Sequence, residues 1–250
     1  MAMIHNYIEF SKGNIPIILS VPHGGTLEID SIPNREYGIK GIDKNTIEIA
    51  RELIEIIQNN SVPDHKIPSY VFCKVARAKV DINRPKSKAF NKNSKLASSI
   101  YMEYHRRLKE LIFSNIKSFS KSILLDIHGF EAEKRPHGFR DVDVIIGTNN
   151  LESVIRNKIP KRDWGKTIRG RMIKKFIQNG INIAPGHHLR GEYVLKGGFI
   201  TQSYGFNQIE NSQALQIELS DRIRIFDKNL RIKVLKILGE ILYREIIEPI

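Results

Sequence analysis

Short apolar runs and longer amphipathic stretches alternate along this chain, and the alternation predicts most of its elements. Residues 15–21 (IPIILSV) are almost uniformly apolar and of strand length, as expected for a strand covered on both faces. Residues 46–58 place Ile47, Ala50, Ile54 and Ile57 at helical spacing, which predicts an amphipathic helix. A second strand is expected over 69–75. A long helix is expected over 97–119, with Ile100, Tyr104, Leu108, Leu111 and Ile112 facing inward. Strands are expected at 122–127 (SILLDI) and 142–147, and a helix over 164–178 with Gly180 as its stop. Short strands follow at 181–184, 199–203 and 214–219, and a closing helix over about 230–247. Strands alternating with helices predict an α/β fold with a largely parallel sheet. Two stretches, 77–96 and 184–198, lack clear periodicity and read as long functional loops. No internal repeat or linker-like stretch divides the chain, so one domain over 1–250 is expected.

Composition narrows the setting. Hydrophobic residues make up 41% of the 250 residues and charged ones 27%, enough apolar material for a sizeable core. No run approaches the ~20 apolar residues that span a bilayer. The start, MAMIHNYIEF, lacks the features of a signal peptide, and a cytoplasmic protein with no membrane partner is expected. Cys73 is the single cysteine, so neither an internal disulfide nor a thiolate metal cluster can form, and its apolar surroundings suggest an inert buried thiol. Forty Lys and Arg against 27 Asp and Glu give a formal charge of +13, which favours anionic partners. The basic residues are scattered, with no zinc finger, aromatic RNA-binding signature or basic tail. Nucleic-acid binding on a fold without catalysis is therefore kept as the reading from another class.

The candidate chemistry lies at strand ends. His23 follows the 15–21 run within Pro22-His23-Gly24-Gly25, and His128 follows the 122–127 run before Gly129. Ligands of parallel sheets bind beyond the carboxyl ends of the strands, so two such histidines converge on one site, where they can ligate a metal. Asp126 shares a strand face with His128 and can orient its imidazole. Catalytic zinc takes a third protein ligand, for which Glu28 and Asp43 are candidates, although Asp43 could instead cap the first helix. Arg77 and Arg84 bracket a polar turn. Arginine there could bind a carboxylate or polarise a carbonyl, or simply lie on the surface. Glu218 alternates with Leu215, Ile217 and Leu219 inside an apolar strand. A carboxylate so placed is exposed at an edge, paired, or functional, and near a metal-bound water it would act as a general base. His187 and His188 could contact substrate, hold a second metal, or sit on a solvated loop. His105, beside Tyr104 on a helix face, reads as structural.

Taken in order, SVPHGG at 20–25, GID at 41–43, ARAKVDINR at 76–84, YHRRL at 104–108, LLDIHG at 124–129, GGFITQSYG at 197–205 and ALQIELS at 214–220 resemble the N-formylglutamate amidohydrolase family. More broadly the set is similar to zinc carboxypeptidases and aspartoacylase-like deacylases. The resemblance implies a three-layer, phosphorylase/hydrolase-like sandwich with a mixed, largely parallel sheet. It implies Zn2+ held by His23, Asp43 and His128, with Asp43 preferred over Glu28. It further implies that Glu218 is the general base, that Asn83 and Arg84 are the substrate-binding pair with Arg77 as helper, and that Lys196, Gly197 and Gly198 border the substrate. The implied activity is hydrolysis of the amide bond of a small, carboxylate-bearing N-acyl amino acid such as N-formylglutamate, with Arg84 stabilising the oxyanion. A metallocarboxypeptidase or another deacylase is the alternative. The chain departs from the family's pattern in two places. Gly129 stands where relatives typically have serine, and 190–198 reads RGEYVLKGG where they usually carry an Asn-x-Pro-Tyr-like stretch.

Overall fold

The computed structural model describes residues 6–61, 64–134, 141–193 and 195–247. The first five residues of the N-terminal stretch and Val194 of the 184–198 loop lie outside the described residues. The elements follow in order as β1 (Ile8–Ser11), β2 (Ile17–Val21), α1 (Thr46–Asn59), β3 (Ser69–Cys73), α2 (Lys86–Ala89), α3 (Lys95–Phe119) and β4 (Ser122–Phe130). They continue with β5 (Val144–Gly147), α4 (Ile168–Gln178), β6 (Ile183–Ala184), α5 (Phe199–Tyr204), β7 (Ser212–Ser220) and α6 (Lys228–Ile247). Seven strands form one mixed, largely parallel sheet in the order β1-β3-β2-β4-β7-β5-β6. Among the described strands of this sheet, the β1–β3 and β5–β7 pairings are antiparallel and the rest parallel.

Both faces of the sheet are covered. Odd-numbered positions of β2 and β4, such as Leu19 and Leu125, pack with Ile49, Leu53, Met172, Phe176 and Leu238 of α1, α4 and α6. Even-numbered positions such as Ile18 and Leu124 pack on the opposite side against Ile100, Tyr104 and Leu108 of α3 and Ile200 of α5. The wholly buried β2 and the seven buried positions of β4 account for their unbroken apolar runs. Helix α1, between β2 and β3, lies on one face, and α3, between β3 and β4, on the other. The chain thus reverses its winding between β2 and β4, where open α/β sheets form a binding crevice.

Several expectations need correction. Residues 199–203 are helical, not a strand. Ile200, Thr201 and Tyr204 are the buried positions, a helical spacing, and the Ile200 N–H is capped by the Asn83 side-chain oxygen at 2.8 Å. β4 does not stop at Ile127, because its pairing with β7 continues through His128↔Glu218 to Phe130↔Ser220. Helix α4 starts at Ile168, capped by the Thr167 hydroxyl, and is preceded by a 3-10 turn at Lys161–Lys166. The 77–96 stretch contains α2 and a bridge between Val80 and Phe90. Strand β1 has too short an apolar pattern to be read from sequence.

Candidate metal centre

His23 lies just past β2, His128 sits on β4, and Asp43 precedes α1; all three are buried. Asp43 does not cap α1. Asn45 holds the N-cap position at φ 64°, and the Asp43 backbone N–H donates instead to the His23 carbonyl at 2.9 Å. That tether turns the Asp43 carboxylate onto the two imidazoles. His23 Nδ1 and His128 Nδ1 face each other at 3.2 Å, and Asp43 Oδ2 lies 3.5 Å from the first and 3.3 Å from the second. Among the described residues this is the one group of three His, Cys, Asp or Glu close enough to hold a metal ion. Tetrahedral zinc with bonds of ~2.0–2.1 Å sets its ligand atoms about 3.3–3.4 Å apart, close to these spacings. Three electron-rich atoms facing inward repel one another unless a proton or cation lies between them, and two imidazoles with a carboxylate suit zinc.

The far side of each ring supports the same assignment. His23 Nε2 lies 2.7 Å from Asp81 Oδ1, and His128 Nε2 lies 2.8 Å from Asp126 Oδ2. A carboxylate on Nε2 draws the ring proton there and leaves Nδ1 as the free donor, the arrangement usual behind metal-bound histidines. Asp126 is fixed in turn by the Ser20 hydroxyl at 2.6 Å, and Ser20 Oγ lies 2.9 Å from the Tyr104 hydroxyl. Asp81 is surrounded by Arg77 Nε at 3.2 Å, Arg35 Nη2 at 3.4 Å and Arg84 Nε at 3.7 Å. Burial alone would raise Asp43, but the His128 and His23 imidazoles beside it hold it well below the usual carboxylate range. Asp81 is likewise held down against burial, chiefly by His23 and then by Arg77 and Arg35. Burial disfavours a charge on His128, yet Asp126, Asp43 and Glu218 together raise the imidazole well above its ordinary value.

Glu218 is the register partner of His128 and therefore shares its face of the sheet. Burial raises its carboxyl, with Asp43 acting the same way and His128 opposing. Its Oε1 accepts a hydrogen bond from Gln216 Nε2 at 2.7 Å, while Gln216 Oε1 accepts the Gly198 N–H at 2.6 Å. Gln216 thus ties Glu218 to the glycine pair. A Cβ on Gly198 would lie 2.2 Å from Asn83 Nδ2, and Gly197 has φ +113°, so neither position accommodates a side chain without displacing its surroundings. The Asn83 amide nitrogen is also 3.2 Å from His128 Nε2.

The remaining candidates are distributed unevenly. Glu28 is exposed and pairs with Lys79 at 3.5 Å, away from the cluster. Arg77 is buried against Asp81 and, at 3.6 Å, Asp43, so its charge is engaged within the centre. The Arg84 side chain is 45% exposed and only loosely held by Asp81, and Lys196 is exposed. The His187 and His188 rings lie tilted against each other at 4.3 Å on the 184–198 loop, outside the metal group. That loop is anchored by buried Glu192, which accepts the Thr148 and Asn150 N–H groups and lies 2.9 Å from Arg169. His105 is structural, as expected: Nε2 donates to the Ile82 carbonyl at 3.1 Å, and Nδ1 accepts from Tyr204 at 2.8 Å. Asp81, Gln216 and Arg35 belong to the site although no sequence expectation gives them a role. For Gln216 the alternation with Glu218 was a usable signal, since it put both on one face.

No protein-family model matches this sequence, and no curated protein matches it. Solved structures do match. The crystal structure of N-formylglutamate amidohydrolase from Ralstonia eutropha JMP134 superposes with a TM-score of 0.64 at 13% identity, covering 96% of this chain and 98% of that one. A crystallised gene product of Agrobacterium tumefaciens superposes with a TM-score of 0.59 at 15% identity, covering 96% of this chain and 92% of the other. The chain has the fold of these proteins.

Proposed function

We propose that the protein is a zinc-dependent hydrolase that cleaves the amide bond of a small N-acyl amino acid, with N-formylglutamate the leading candidate. The observation that carries this reading is the inward-facing triangle of His23 Nδ1, His128 Nδ1 and Asp43 Oδ2, with a carboxyl raised by burial, Glu218, beside it on β7. The name of the Ralstonia structure, which shares the fold, supports the choice of amide chemistry. His23, Asp43 and His128 would hold the zinc, which when bound lowers the pKa of a water molecule and polarises a carbonyl oxygen.

The chain's own groups supply the proton traffic. Glu218 takes a proton from the attacking water and delivers it to the amide nitrogen as the C–N bond breaks, giving a carboxylic acid and an amine. A carboxyl raised by burial suits both halves of that transfer, because its pKa lies nearer the working pH. Arg84, loosely held and half open to solvent, is the arginine able to turn toward the oxygen that gains charge. With Arg77 committed to Asp81 and Asp43, Lys196 and Arg84 are left to meet the substrate carboxylate.

Glu218→Gln keeps the shape and removes the base. It is expected to lower kcat for N-formylglutamate by about 100-fold or more while zinc content and fold are unchanged. Retained turnover in a zinc-loaded Glu218→Gln protein would remove the general-base assignment. A panel of acylated amino acids and short peptides in the same assay separates the deacylase reading from a carboxypeptidase.

A further inference from the structure

The segments that carry Asp43, His128 and Glu218 are distant in sequence, yet all three reach one buried guanidinium. Arg224 lies in the π-helical turn Arg222–Phe226 directly after β7 and is 2% exposed. Its Nε donates to the Leu219 carbonyl at 3.0 Å, Nη1 to Lys44 at 2.6 Å and Nη2 to Phe130 at 2.9 Å. These carbonyls belong to the residue after Glu218, the residue after Asp43 and the second residue after His128. Arg224 is itself fixed, because its own carbonyl accepts from Asn45 Nδ2 at 2.9 Å and Arg231 Nη2 at 2.6 Å. Only a guanidinium presents three nitrogens in a rigid plane, each donating to a different chain segment; an ammonium is a single point.

Gly129 belongs to the same device. A Cβ there would lie 2.3 Å from Arg224 Nε and 2.5 Å from Cζ, so a side chain at 129 and the guanidinium cannot share that space. This gives a physical reason for glycine where the family resemblance leads one to expect serine. Asp43, Asp221, Glu218 and Glu131 surround the guanidinium with opposite charge, offsetting the cost of burying it. Every nitrogen of the Arg224 guanidinium thus donates to a main-chain carbonyl.

We infer that Arg224 is a positioning residue for the metal centre: over Gly129, it locks the segments bearing Asp43, His128 and Glu218 into one register. The inference rests on the metal reading above. The test is zinc affinity, measured by competition with a chromogenic chelator on metal-stripped protein whose fold is checked by circular dichroism. Arg224→Lys keeps the charge but cannot hold three carbonyls, and is expected to weaken zinc binding by about 10–100-fold, the usual loss when outer partners of ligands are removed. Gly129→Ala, which displaces the guanidinium while leaving Arg224 itself unchanged, is expected to do the same. Against the single variants Arg224→Ala and Gly129→Ala, the losses in Gly129→Ala/Arg224→Ala should not add, because the methyl then has nothing to displace. Arg171→Ala, which breaks the pair with Glu245 that joins α4 to α6, is the control and should lower Tm with zinc affinity unchanged. Wild-type affinity in folded Arg224→Lys or Gly129→Ala, or strictly additive losses, would overturn the inference. So would an Arg224→Lys chain that fails to fold while Gly129→Ala binds zinc normally, because the role would then be structural. Wild-type protein that takes up no zinc would overturn the metal reading and this inference with it.

Discussion

At the scale of single residues, the candidate centre is arranged by what stands behind each imidazole. Asp81 takes the proton-bearing edge of His23 and at the same time gathers Arg77, Arg35 and Arg84 around one carboxylate. Removing its charge should free the His23 ring to rotate and leave buried arginines short of a partner. Asp81→Asn is therefore expected to weaken zinc binding by about 10–100-fold and to lower Tm, read by chelator competition and thermal unfolding. An Asp81→Asn protein with wild-type zinc affinity would show that His23 needs no orienting carboxylate. His23, His128, Glu218 and Asp126 were legible as single residues, since strand ends and alternation expose such positions. Asp81 stood inside a quoted motif with no role, and Gln216 beside Glu218 likewise. Their partners lie on other elements, where no local pattern points.

At the scale of elements, α3 and α5 together build an aromatic layer around His105. His105 is enclosed by Tyr101, Tyr104, Phe199 and Tyr204, and burial lowers its pKa to about 4 against the opposing pull of the Ile82 carbonyl and Asp126, with Lys109 adding to the lowering. The unfolded chain binds a proton at this position near pH 6.5, the folded chain only near 4. Stability from the neutral ring is thus fully present above 6.5 and lost as pH falls from 6.5 toward 4, a change of roughly 3 kcal/mol. Unfolding by urea across that range should show the slope in wild type and a flatter curve in His105→Gln; equal slopes would place the pH dependence elsewhere. Most elements were readable because their apolar periods are long. The segment after the glycine pair was not, because six residues of mixed polarity (FITQSY) fit strand and helix alike until their Asn83 cap and buried spacing are known.

At the scale of the whole molecule, the sheet order places the chemistry. With α1 and α3 on opposite faces, the ends of β2 and β4 open a crevice, and β7, paired in parallel with β4, brings Glu218 level with His128. The sequence could suggest a largely parallel sheet from alternating elements but not the antiparallel β5–β7 pairing, nor the Arg224 clasp, whose contacts span 5 to 180 positions. Among the described residues, no helix is long and apolar enough to cross a membrane. The surplus of cations includes several that are consumed internally: Arg35, Arg77, Arg169 and Arg224 are all buried. That weakens the net charge of +13 as a guide to an anionic macromolecular partner.

The central claim, that His23, Asp43 and His128 hold a catalytic metal, is tested most directly by metal analysis of purified wild-type protein and His128→Ala side by side. Stoichiometric zinc is expected in the wild type after loading and dialysis, and none retained by a folded His128→Ala. Stoichiometric zinc persisting in His128→Ala, or no uptake by the wild type, would contradict it.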